Sequence, residues 1–108
     1  MIIVWSDEAL ADLESISGDL KLYSEAAERR LKERIRDRLR QLREFPLSGR
    51  ELPEFQMANI RELIVDRYRL VYEPSGETIT ILAFRPGAIP LDVVADDWEA
   101  ETGNGPSP

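Results

Sequence analysis

The chain predicts an α+β domain, a two-helix antiparallel hairpin packed on a small, curved, mostly antiparallel sheet in the order β-α-α-β-β-β. Three observations carry this reading. Met1–Trp5 is a short apolar run rich in branched side chains, residues 10–45 hold apolar positions at steps of three and four, and residues 60–84 alternate polar and apolar side chains between turn signals.

The opening run Met1-Ile2-Ile3-Val4-Trp5 suits a strand buried from the outset, with Trp5 as a packing residue. Ser6 then offers a helix cap, and Asp7 and Glu8 fall in the first turn, where the helix dipole favours acids. Leu10, Leu13, Ile16 and Leu20 form the apolar stripe of this helix, which Gly18 is expected to weaken or end. Ser24 caps a second helix whose stripe is Ala27, Leu31, Ile35, Leu39, Leu42 and Phe45, and Pro46 stops it.

Residues 47–58 read as a loop with room for a short extended piece, since Gly49 and Pro53 interrupt it. Three strands follow, at about 60–65, 68–73 and 78–84. Asp66-Arg67 and Pro74-Ser75-Gly76-Glu77 supply the turns between them. Period two places Tyr68, Leu70 and Tyr72 on one face and Arg67, Arg69 and Val71 on the other, so one segment yields a packed side and a cationic side.

With 108 residues the chain suits one domain, expected over 1–95, followed by an acidic Gly- and Pro-rich tail over 96–108 that is expected to be disordered. Val93 and Val94 could pack as an outlying strand or turn, and Trp98 is either an anchor for that tail or part of an interface. Cysteine and histidine are absent, which removes disulfides, thiolate chemistry, the commonest general base and the commonest metal ligand. Asp96-Asp97 and the pair Glu51 and Glu54 lack a third converging oxygen donor, so neither metal nor cofactor is expected.

The longest apolar run is far too short to span a bilayer and lacks a basic flank, so no membrane partner and a cytoplasmic location are expected. A net charge of −7 opposes nonspecific attraction to phosphate, so any nucleic-acid contact requires a local patch. The charge is uneven: residues 25–44 hold eight Lys or Arg against five acids, whereas residues 86–108 hold five acids and no base. The basic helix also carries acids at three- and four-residue spacing, the pattern of a solvated, self-paired surface.

Val4-Trp5-Ser6 with Glu8-Ala9-Leu10-Ala11-Asp12-Leu13, Ala26-Ala27-Glu28-Arg29, Phe45-Pro46 with Gly49-Arg50, Ile60-Arg61-Glu62-Leu63, Tyr68-Arg69-Leu70-Val71-Tyr72 and Ile81-Leu82-Ala83-Phe84-Arg85 occur in a specific order and spacing. In these segments the chain resembles the RelE/ParE superfamily of toxins from type II toxin–antitoxin systems, and lies closer to the ParE branch of plasmid-stabilisation toxins. The resemblance covers about residues 3–91. It implies an α+β toxin neutralised by a cognate antitoxin in a hetero-oligomer.

Superfamily members that cut messenger RNA on the ribosome look to supply lysines, arginines, a tyrosine, or a glutamate and histidine around the sheet. Arg69 matches an arginine of that set. Arg61 and Glu62 stand where lysines are wanted, and Pro86-Gly87-Ala88 stands where His or Tyr often follows the last strand. A general acid–base pair is thus missing, and no catalytic residue is assigned. The ParE branch implies inhibition by contact with DNA gyrase or another replication target. A ribosome-dependent endoribonuclease and a degenerate toxin that retains only antitoxin binding are the alternatives.

The candidate target- or antitoxin-binding residues are Arg61, Arg67, Arg69 and Arg85. The competing reading makes each a solvated charge or a partner of Glu62, Asp66 or Glu73. Tyr68 and Tyr72 read as core residues with their hydroxyls satisfied at the edge.

Overall fold

A computed structural model describes residues 1–53 and 59–87. The expected tail over 96–108, the anchor Trp98 and the segment at Val93 and Val94 lie outside the described residues. The elements are β1 (Ile2–Trp5), α1 (Asp7–Tyr23), α2 (Glu25–Glu44), β2 (Arg50–Glu51), β3 (Arg61–Val65), β4 (Tyr68–Ser75) and β5 (Thr78–Pro86). They form an α+β fold, as the sequence predicts, with five strands in the order β1-β5-β4-β3-β2. β1 joins β5 in parallel and every other pairing is antiparallel.

Serines set the helix boundaries. Ser6 Oγ accepts from Ala9 N at 3.1 Å. Ser24 serves both helices: its N–H donates to Leu20 O at 2.6 Å to close α1, and its Oγ accepts from Ala27 N at 3.1 Å to open α2. A single residue therefore separates the helices, which forces them into a hairpin. Gly18 does not end α1. It sits on an exposed turn with nothing within 4 Å of a Cβ, so it costs only about 1 kcal/mol of helix propensity, which packing of the apolar face overrides.

Ala9, Leu31, Ile35 and Leu42 from the helices meet Leu63, Val65, Tyr68, Leu70, Tyr72, Ile79, Ile81 and Phe84 from the sheet in one buried cluster. Phe84 is its centre: its ring stacks on Tyr68 at 5.1 Å and meets Trp5 edge-on at 6.5 Å. Leu39 packs against this cluster, but Phe45, expected in the α2 stripe, is the cap residue and is 58% exposed. The helix ends before Phe45 can turn inward.

The β3–β4 hairpin turns at Asp66-Arg67 as expected, whereas the β4–β5 hairpin is tighter than its sequence suggests. Val65 pairs with Tyr68 across Asp66-Arg67, and Ser75 pairs with Thr78 across Gly76-Glu77. In each turn the first central residue has positive φ, 58° at Asp66 and 60° at Gly76, the backbone that reverses a strand with matching twist. Pro74 and Ser75 thus belong to β4. A register shift at Val71/Tyr72 leaves Leu82 as an extra residue on β5, so side-chain parity flips there and both Ile81 and Phe84 reach the core.

Tyr72 ties the loop after α2 to the sheet. Its buried hydroxyl accepts from Gly49 N at 2.8 Å and donates to Pro46 O at 2.9 Å. A Cβ on Gly49 would lie 2.6 Å from that hydroxyl oxygen and 2.7 Å from Glu62 O, so this approach requires glycine. Burial pushes the Tyr72 hydroxyl above its usual value, with the Gly49 N–H opposing part of that shift.

Candidate functional site

The sheet face turned away from the helices carries a row of charges. Arg50 on β2 pairs directly with Glu62 on β3, and Arg69 on β4 stands diagonally beyond it. Arg69 Nε donates to Glu62 Oε1 at 2.7 Å and its Nη2 donates to Oε2 at 3.1 Å, a two-pronged grip, while Arg50 Nη2 donates to Oε2 at 2.8 Å. Glu62 is only 6% exposed, so two cations enclose one carboxylate. Burial pushes the Glu62 carboxyl upward, but the hydrogen bonds and charges of Arg69 and Arg50 outweigh it and hold the group below its usual value.

Arg61 does not share that face. It has the parity of Leu63 and Val65, which enter the core beneath the helices, and its guanidinium folds over the end of the α2–β2 loop. There Nη1 donates to Gly49 O at 2.9 Å and Leu47 O at 3.2 Å, Nε donates to Asn59 Oδ1 at 3.1 Å, and Nη2 lies 3.6 Å from Glu51 Oε1. Those contacts make Arg61 a clamp on the loop that Tyr72 also fixes.

Arg85 is the strand partner of Arg69, yet its guanidinium turns to the edge of β5. β1 ends opposite Ile81, so the edge beyond it is covered by the start of α1 instead. Ser6 N donates to Ile81 O at 2.9 Å, Ser6 Oγ donates to Leu82 O at 3.3 Å, and Asp12 Oδ2 accepts from Phe84 N at 3.0 Å. Arg85 Nε reaches both Asp12 oxygens at 3.1 Å. Asp12 thereby caps an open strand edge and holds a guanidinium with the same carboxylate.

Arg67 occupies the exposed β3–β4 turn, where its carbonyl accepts from Gly87 N at 2.8 Å. The four expected arginines therefore fall into three environments: Arg69 on the open face, Arg61 on the loop clamp, and Arg85 and Arg67 at the strand ends nearest α1. Glu62, Arg50 and Asp12 belong to these clusters; of the three, only Glu62 is expected from the sequence, as a partner of the arginines, and it does pair with Arg69. Glu62 has a readable signal, because it alternates with Arg61 and so shares the Arg69 face. Asp12 and Arg50 have none, being separated from their partners by 73 and 12 residues.

Among the described residues no three Asp, Glu, His or Cys side chains converge as metal ligands, and no helix is long and apolar enough to cross a membrane. The Arg50–Glu62–Arg69 row can serve recognition of an anion. A pair of guanidiniums around one carboxylate can exchange that carboxylate for an acidic group of a partner, with the planar two-pronged geometry that Arg supplies.

The model of the ParE toxin of the type II toxin–antitoxin system parDE matches residues 3–90. No curated protein sequence matches significantly. Among solved structures, the chromosomal ParDE toxin–antitoxin system from P. aeruginosa is similar with a TM-score of 0.59 and 23% identity, over 80% of this chain and 95% of that one. The YoeB/ParE toxin from Agrobacterium tumefaciens is similar with a TM-score of 0.58 and 24% identity, over 80% of this chain and 98% of that one. Both likenesses concern the fold. The family match spans both helices and all five strands, and on it the chain belongs to the ParE toxin family of type II toxin–antitoxin systems.

Proposed function

We propose that this toxin acts without catalysis, by binding DNA gyrase or another replication component, and that a cognate antitoxin neutralises it by covering the final strands. The observation that carries this reading is the state of Arg69. At the position matched to a nuclease arginine, the guanidinium is held at two points by Glu62. Stabilising a phosphorane there means first separating a buried ion pair, a cost that opposes transition-state binding. Tyr72, on the same strand, has its hydroxyl consumed by Gly49 and Pro46. Neither residue is poised for proton transfer, and the chain has no histidine to replace them.

Contact inhibition needs neither proton transfer nor stabilisation of a phosphorane. It requires a stable sheet that presents cations, and an acidic segment of a partner can meet the Arg50–Glu62–Arg69 row or add along a sheet edge. The test is DNA supercoiling by purified gyrase with increasing toxin. Loss of supercoiling with accumulation of cleaved DNA, both reversed by the antitoxin, supports the proposal. Unimpaired gyrase beside cut ribosome-bound messenger refutes it.

A further inference from the structure

Helix α2 is the positive element of an otherwise acidic chain. Residues 25–44 hold eight cations against five acids, so the remainder has six cations against sixteen acids. Arg29, Arg36 and Arg43 recur every seven residues and so stand within about 20° of one line along the helix, with Arg40 beside it. Arg40 is paired with Asp37, whereas Arg29, Arg36 and Arg43 form no ion pair among the described residues. All four are exposed. Glu25 stands on the same line at the opposite, N-terminal end of the helix, where the dipole favours an acid.

At the C-terminal half of this row the surface is a groove. Arg36, Arg40 and Arg43 form its walls around Leu39, which is half-buried and packs against the core. Such a site combines an apolar floor and aliphatic stems with three guanidinium heads. It suits an aromatic side chain flanked by carboxylates, since the ring can lie on Leu39 and beneath a guanidinium while acids meet the others.

The sequence contains that ligand. Asp96-Asp97-Trp98-Glu99-Ala100-Glu101 places the only aromatic residue after Phe84 among four acids. We infer that this segment of the chain itself docks in the Arg36–Arg40–Arg43 groove, with Trp98 over Leu39. The reach is sufficient. Gly87 is bonded to Arg67, which lines a cleft with Ile16, Asp19 and Leu20, and Ser17 in that part of α1 donates to Glu28 on α2 at 2.5 Å. Arg36 and Arg43 lie roughly 12 and 22 Å farther along α2 from Glu28. Trp98 is eleven residues beyond Gly87, a tether of up to roughly 38 Å when extended. A tether of this kind gives an effective concentration on the order of millimolar, so weak intrinsic affinity is enough to populate the docked state.

Trp98 is its own reporter once Trp5 is removed. In the full chain carrying Trp5→Phe, acrylamide should quench Trp98 severalfold less than it quenches a free peptide of residues 92–103. Adding Arg36→Glu, Arg40→Glu and Arg43→Glu should raise quenching to the peptide value, and so should molar salt, which cuts the screening length to about 3 Å. Because Trp5 packs on Phe84, amide spectra of the unsubstituted chain provide a second reading. Neutralising Asp96, Asp97, Glu99 and Glu101 in the full chain should shift amides of residues 36–43. Trp98 quenched like the free peptide, or amide shifts confined to β4 and β5, would overturn the inference. Shifts at residues 36–43 that require an added DNA duplex would also overturn it, by assigning the groove to phosphate.

Discussion

Glu62 and Arg69 meet diagonally across β3 and β4, and both carboxylate oxygens are taken by one guanidinium at 2.7 and 3.1 Å. The pair joins the one expected site residue on the open face to a buried acid that also holds Arg50. It fixes the position of Arg69 and neutralises it in the resting protein. A partner that binds on this face would have to exchange its own carboxylate for Glu62, and its affinity would depend on how much better the incoming acid fits.

A double-mutant cycle with Glu62→Gln and Arg69→Gln should show coupling of about 1–3 kcal/mol in urea unfolding, because each single change strands a desolvated partner. Arg69→Ala alone should weaken toxicity while the chain stays folded at reduced stability. Additive single effects, or growth arrest unchanged by Arg69→Ala, would remove the pair from the account.

Acid should expose the same row. Glu62 and Glu28 both titrate below their ordinary value of 4.5 in the folded chain, Glu28 chiefly through Lys32 and Ser17. A carboxyl depressed on folding adds stability that is fully present above its unfolded pKa and is lost as pH falls through the folded value. Stability should therefore decline below about pH 4.5, and Glu62→Gln should flatten that decline. An unchanged slope in thermal unfolding across pH 2–5 would count against the assignment.

Tyr72→Phe removes a donor and an acceptor at once, leaving Gly49 N–H and Pro46 C=O without that partner. The expected loss is about 1–3 kcal/mol of unfolding free energy. Gly49→Ala should cost more, since its Cβ meets strand backbone at Glu62 O as well as the tyrosine ring. Denaturant midpoints for the two variants test the ranking.

Gly18→Ala should act in the opposite direction. The site is helical, exposed and open around the missing Cβ, so alanine should stabilise the chain by roughly 0.5–1 kcal/mol. A fall in melting temperature would show that Gly18 meets something other than solvent.

Much of this architecture is written locally. Ser6 and Ser24 announce both helix starts, Leu31, Ile35 and Leu42 mark the buried stripe of α2, and Tyr68, Leu70 and Tyr72 declare the packed face of β4. What local pattern omits is pairing at long range. The parallel docking of β1 on β5 and the Asp12 cap on Phe84 join residues more than 70 apart, and neither leaves a periodic trace. Parity does place Arg61 with Leu63 and Val65, so its separation from Arg69 was readable. The direction of Arg85 was not, because it depends on where β1 stops and α1 begins to cover the strand edge.

If the antitoxin covers the final strands, amide exchange in β4 and β5 should slow when it is added, beginning at the less stable strand ends. Exchange unchanged throughout both strands would place the antitoxin elsewhere.

The decisive comparison uses one toxin preparation divided between gyrase with plasmid DNA and ribosomes translating a defined messenger. Noncatalytic inhibition predicts that supercoiling fails and cleaved plasmid accumulates in proportion to toxin bound, while the messenger stays intact. Messenger cut in large excess over toxin, with supercoiling undisturbed, would contradict it.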